Sequence, residues 1–235
     1  MRKHSLGLAC VALLSVLFAP AAVRADEFYY LVMFSAQRDA LEAQYAHTFA
    51  TFVKATGQGP CLANYAIEAH TISWLPATLD IHLWARPECG RNVGLQETIR
   101  WALSNCERVS MWGPYRIQPC LYARAVRQCA LLESGRVCYK ALDSFHNTSR
   151  VSNCIHAVSD VVEGSRLRVL SPEWGDTASW YVLRRMEPCI IDVCQVYPCI
   201  ATQLGLDAYP LVRRPFENPR SGLMWRTLKS LAGKQ

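Results

Sequence analysis

Apolar positions recur along this chain with two different periods, and the changes of period divide it into elements. Residues 28–34 (FYYLVMF) form an unbroken apolar and aromatic run, the pattern of a buried strand. Residues 37–44 are polar with Ala and Leu and read as a turn or one helical turn. Residues 47–53 (HTFATFV) are rich in β-branched and aromatic side chains, and Gly57, Gly59 and Pro60 break the run. Residues 65–75 (YAIEAHTISWL) repeat the pattern up to Pro76. The two stretches are expected to pair as an antiparallel hairpin centred between residues 58 and 59, which would bring His47 and His70 to one end. A third strand carrying His82 is expected over 79–84.

The middle of the chain changes to helical spacing. Residues 87–93 read as a loop, 95–103 as a helix, and 111–115 (MWGPY) as a turn with aromatic packing. A stronger helix is expected over 119–133, with Pro119 in its first turn and Gly135 beyond its end. Residues 136–142 read as a strand. Ser152 and Asn153 then precede the periodic apolar positions Ile155, Val158, Val161 and Val162, so a helix is expected to open at Cys154. Another helix is expected over 175–186, and 198–219 reads as Pro-rich and irregular. Residues 223–231 are amphipathic and basic, the pattern of a tail that docks on its domain or touches an anionic surface, docking being the commoner fate. No internal repeat or low-complexity block interrupts this order.

The first residues change the picture of the whole. Arg2, Lys3 and His4 precede an apolar stretch over 6–18, and Val23 and Ala25 place small residues at the positions a signal peptidase reads. Cleavage after Ala25 would leave 210 residues, secreted or periplasmic. Of the 25 basic residues in the 235-residue chain, Arg2, Lys3 and Arg24 would be lost, leaving 22 against 19 acidic, a net charge of +3. That balance gives no reason to expect nucleic acid as a partner, and no later stretch approaches the roughly 18 apolar residues of a membrane span.

Cysteine carries the candidate chemistry. Ten remain after cleavage, at positions 61, 89, 106, 120, 129, 138, 154, 189, 194 and 199. In an exported chain such a count reads as a disulfide framework, and Cys189, Cys194 and Cys199 read as a local disulfide staple. Cys154 can be read differently. A thiol at a helix start meets unpaired amides and the positive end of the helix dipole, both of which favour thiolate. If Cys154 is a free nucleophile, nine cysteines are left and one more must be unpaired.

The order of strands with histidines, then helices, then Asn153-Cys154-Ile155-His156-Ala157-Val158 resembles the permuted branch of the NlpC-type papain-like superfamily, which includes the lecithin retinol acyltransferase-like proteins. That branch carries the motif Asn-Cys-Glu-His-Phe-Val after a histidine-bearing hairpin; here Ile155 replaces its acidic residue and Ala157 its aromatic one. Arg124-Ala125, Gly135, and Val137, Tyr139 and Lys140 extend the likeness, which covers residues 45–165. The resemblance implies an α+β fold in which an antiparallel sheet with a histidine-bearing hairpin packs on helices, permuted papain-like and here disulfide-rich. It also implies a thiol hydrolase or acyltransferase acting on a peptide amide or lipid ester, the cell envelope being one source of substrate. Cys154 would be the nucleophile, His47 the base and His70 the orienting group; His70 as base with His82 as orienter is the alternative pair. The amide of Cys154 would donate to the oxyanion. His156, two residues along the helix, reads as structural.

Three segments follow: a signal peptide at 1–25, a permuted papain-like domain at 26–170, and a cysteine-containing extension at 171–235. The cysteine count and the aromatics also support a second reading, a disulfide-stabilised extracellular binding or interaction module without catalysis, whose exposed aromatics would include Trp74, Trp84, Trp101, Trp112 and Trp174. No cofactor is expected, and the six histidines lack the spacing of metal ligands.

Overall fold

A computed structural model describes residues 25–38, 46–143, 150–170 and 175–217. Residues 1–24 of the expected signal peptide, Trp174 and the basic tail lie outside the described residues. The model is mixed α+β, with mainly antiparallel sheets packed against helices. The main sheet has the order β3-β2-β1-β6-β9, formed by β1 (Asp26–Gln37), β2 (His47–Gly57), β3 (Ala66–Ile72), β6 (Arg108–Ile117) and β9 (Val212–Arg214). Every neighbouring pair is antiparallel except β6 with β9. A smaller sheet has the order β4-β5-β7-β8, from β4 (Trp74–Pro76), β5 (Glu88–Asn92), β7 (Cys138–Tyr139) and β8 (Val151–Ser152).

The central residues of β1 and β2 are buried and mostly apolar because both faces of the main sheet are covered there. Tyr30, Val32, Phe34, Phe49 and Val53 pack in one cluster with Ile99 of α1 (Leu95–Ser104) and Ile200 of α5 (Pro198–Gln203). Leu31, Met33, Ala50 and Phe52 face a second cluster. There they meet α2 (Pro119–Glu133), α3 (Cys154–Ser159) and α4 (Gly175–Met186). A strand buried on both sides shows a continuous apolar run rather than alternation, which is why residues 28–34 were legible.

Five expectations are corrected. First, the hairpin register is Phe52 opposite His70 and Thr51 opposite Thr71, so its centre lies at residue 61. A 3-10 turn at Leu62–Asn64 lengthens the reversal on one side, and His47 lies beyond the end of β3. Second, residues 79–84 are not a strand: Leu79 has φ +62° and Trp84 is 82% exposed, so the segment has neither extended backbone nor a face to bury. Third, the 87–93 loop contains β5.

Fourth, residues 111–115 are interior to β6. Gly113 has φ +84°, and a Cβ there would lie 2.8 Å from the carbonyl oxygen of Leu31. The register with β1 shifts between Leu31 and Met33, so one extra residue enters the strand. This shift reverses the parity of the side chains, and Trp112 and Tyr115, three apart, both reach the second cluster. Trp74 and Trp112 are therefore core residues and not an exposed aromatic surface. Fifth, the irregular 198–219 stretch contains α5 and β9. Together with α4, whose Val182, Leu183 and Met186 share the core with β1 and β2, these elements join residues after 170 to the same body.

Candidate functional site

Cys154 opens α3 as the sequence pattern suggests. Asn153 has extended backbone, and its Oδ1 accepts the His156 amide at 2.9 Å, which satisfies one of the free donors of the first turn. The helix is only six residues long and lies against β2. Because β3 begins to pair only at Ala50 opposite Ile72, the Thr48 amide on that edge is left over by the sheet. Burial pushes the Cys154 thiol up from its ordinary value, while hydrogen bonds from the amides of Thr48, Ile155 and Cys154 itself offset this only in part. The outcome is a thiol that stays protonated at neutral pH.

The structure does not bring the expected bases to this sulfur. His47 is buried, stacks on Phe49 with ring centroids 5.4 Å apart, and meets Trp101 edge-on at 5.8 Å. It thus lies with the cluster on the α1 face, whereas Cys154 packs against the cluster on the other face. Its Nε2 is 2.9 Å from Ser73 Oγ, which in turn bonds Thr98 at 2.8 Å, and Nδ1 has no hydrogen-bond partner among the described residues. Burial lowers His47 to about 3, so the ring is neutral across the physiological range.

His70 stands five residues along the hairpin from His47, pairs with Glu68 at 2.9 Å and meets the Tyr122 ring edge-on. His82 pairs with Asp80 at 3.2 Å on an exposed turn. His156 is buried and donates from Nε2 to the Leu167 carbonyl at 2.8 Å, with Asp143 Oδ2 at 3.3 Å. Burial and Arg166 lower His156 against the pull of Asp143 and Asp160. Asp143 also accepts the Val169 amide at 2.7 Å, so this group ties the segment after α3 to the core. Among the described residues no histidine hydrogen-bonds Cys154, and no three His, Cys, Asp or Glu side chains converge to hold a metal.

A groove of about 600 Å³ runs instead along the outer edge of β3. Thr71 and Tyr65 direct their carbonyls outward, and each is already occupied. Thr71 accepts from Asn92 Nδ2 at 2.9 Å and from the Cys129 thiol at 3.6 Å, while Tyr65 accepts from Gln203 Nε2 at 3.0 Å. The two-residue period of a strand then turns the backbone groups of Ile67 and Ala69 outward between these two caps. No strand pairs with this edge among the described residues.

Asn92 is the organiser of the closed end. Its Oδ1 accepts the Ser73 amide at 2.9 Å, and its Nδ2 also reaches Glu133 Oε1 at 3.0 Å. Burial and the Glu133 carboxylate push the Cys129 thiol up to about 12, so it serves as a donor and not as a nucleophile. At the rim Arg91 holds Glu97 at 2.6 Å, and Arg100 stands exposed with no carboxylate partner among the described residues. None of Asn92, Cys129, Glu133 or Arg100 was a candidate from sequence. Asn92 fell in a stretch read as loop, and α2 gave no sign of which face would meet β3.

Comparison of the chain with protein-family models, with curated proteins and with solved structures finds no match. No helix among the described residues is long and apolar enough to cross a membrane.

Proposed function

We propose that this protein is a non-catalytic binding module whose ligand is an extended polypeptide segment added to the free edge of β3. The observation that carries this reading is the outward backbone of Ile67 and Ala69, bounded by carbonyls already capped by Gln203 and Asn92. Strand addition supplies main-chain hydrogen bonds and leaves alternate side chains to set specificity. Arg100 favours a ligand with an acidic side chain at the rim. The reading is tested by display selection of random extended peptides against the full chain, with Ala69→Pro as the counter-target. Proline is tolerated on an edge strand whose N–H faces outward, yet it removes that donor. Binders lost on Ala69→Pro support the proposal; a selection without binders, or binders that hold the variant equally, refutes it.

A second reading rests on the three amides that meet the Cys154 sulfur. A permuted papain-like thiol hydrolase or acyltransferase would use them to stabilise a thiolate once the start of β2 rearranged to turn His47 from the α1 face to the α3 face. Labelling of the wild-type chain by a thiol-reactive acyl probe at neutral pH, lost in Cys154→Ala, would favour this reading over the module. The module predicts that Cys154 alkylates with a pH midpoint above that of free cysteine. The basic, apolar and small-residue start of the chain supports export under either reading.

A further inference from the structure

Two of the cysteine pairings are set by the backbone. Cys89 of β5 stands directly opposite Cys138 of β7 in an antiparallel ladder. The Cys89 carbonyl accepts the Ala77 amide at 2.9 Å on the β4 side, and the Cys138 amide donates to the Arg150 carbonyl at 2.7 Å on the β8 side. Both residues therefore turn their backbone groups away from each other, which makes this the non-hydrogen-bonded kind of cross-strand pair. Such pairs hold their Cα atoms about 4.5 Å apart with the side chains on one face, within the span a disulfide bridges.

The second pair joins the start of α2 to the 3-10 turn at Glu187–Cys189. The Gln118 amide donates to the Cys189 carbonyl at 2.9 Å, and Gln118 Nε2 reaches the Pro188 carbonyl at 3.3 Å, so the two segments are fixed side by side. Burial and then the neighbouring Cys120 thiol push the Cys189 thiol up, so the two side chains lie near one another, and Cys120 Sγ donates to Gln118 Oε1 at 3.5 Å on the same segment. Cys89 and Cys120 are exposed and Cys138 and Cys189 half-buried, so an external reagent can reach each pair. By contrast Cys189 and Cys199, expected to belong to one local staple, pack against different clusters.

We propose that Cys89 with Cys138, and Cys120 with Cys189, are two thiol pairs that close to disulfides on exchange with a small-molecule disulfide. In each, one thiol loses its proton and attacks a sulfur of the reagent. The reagent's S–S bond breaks, one of its halves leaves as thiolate, and a mixed disulfide forms. The second cysteine, deprotonated, then attacks the protein sulfur of that mixed disulfide and expels the other half. Per pair, two protein thiols are oxidised to one disulfide and one reagent disulfide is reduced to two thiols. The first bridge would fix β5 to β7 and, through β8, the approach to α3; the second would fix the turn after α4 to the start of α2. Neither uses Cys154, so the pairs are independent of both functional readings, and an odd count of cysteines is no obstacle to a free thiol there.

The full chain is equilibrated with mixtures of reduced and oxidised glutathione, quenched by alkylation and digested without reduction. The expected result is two linked peptides, one joining Cys89 to Cys138 and one joining Cys120 to Cys189, each lighter than its separated parts by two hydrogens. In Cys138→Ser, Cys89 should carry glutathione while the Cys120 to Cys189 link still forms. Links of Cys189 to Cys194 or Cys199, or glutathione on Cys89 and Cys138 with no crosslink at any ratio, would overturn the proposal. The wild-type map decides this alone if the variant fails to fold.

Discussion

Asp176 should be the most costly polar side chain to remove. It lies at the start of α4, is 8% exposed, and accepts from Ser35 Oγ of β1, from Arg108 Nη2 of β6 at 2.9 Å and from Arg214 Nη2 of β9 at 2.9 Å. One carboxylate thus joins a helix to three strands. Asp176→Ala deletes three hydrogen bonds to one charge and leaves two guanidinium groups in part-buried positions without it. Breaking a fully buried pair costs about 3–5 kcal/mol. The arginine side chains here are 31% and 29% exposed, so water recovers part of that, and about 3 kcal/mol is expected. For a chain of this length that corresponds to a fall of roughly 6–12 °C in Tm. Strand β9 has three residues and depends on Arg214, so its amides should lose protection from hydrogen exchange before those of β1 and β2. Urea unfolding of wild type, Asp176→Ala and Asp176→Asn, read by tryptophan fluorescence, measures the loss. A cost below about 1 kcal/mol, or protection unchanged at β9, would show that the carboxylate does not hold these elements together.

Two further outcomes follow from single residues. Burial pushes Glu107 up to about 8, with Arg38 opposing, and neither carboxylate oxygen has a hydrogen-bond partner among the described residues. The folded state therefore binds this proton more tightly than the unfolded one, so its contribution to stability is full below about 4.5 and is lost as pH rises to about 8. The ceiling on that loss is roughly 5 kcal/mol. Glu107→Gln should flatten the denaturation midpoint across this window and stabilise the protein at its alkaline end; an unchanged pH profile would refute the assignment. At Gly90 of β5 an added methyl would lie 2.0 Å from Cζ2 of the buried Trp74, so Gly90→Ala should cost about 1–3 kcal/mol by displacing that ring, measured by thermal unfolding.

How far the fold was legible depended on how local its causes are. The 119–133 and 175–186 helices lie where their apolar spacing and end signals place them, since a helix is closed by hydrogen bonds four residues apart. The Asn153 cap was legible for the same reason. Strand 79–84 failed because apolar content without a covering layer does not make a strand, and Trp84 has no such layer. Strand β6 was missed because Gly113 and Pro114, read locally as a turn, are absorbed by a bulge that only the β1 neighbour reveals.

The site divides along the same line. Sequence alone placed Cys154 at a helix start and His47 and His70 on adjacent strands of a mixed α+β chain, because each of those statements concerns residues close together in the chain. Whether a thiol meets an imidazole depends instead on register and on sheet face. A reversal lengthened by a 3-10 turn moved His70 opposite Phe52, and the two-residue period of β2 sent His47 to the face of Phe49, away from the cluster against which Cys154 packs. Tertiary structure also decided what no spacing announced: the Asn92 to Glu133 closure of the β3 groove, and the pairing of Cys89 with Cys138 across 48 intervening residues. Contacts of that separation arise from how layers cover one another, a property of the assembled sheet and not of any stretch within it.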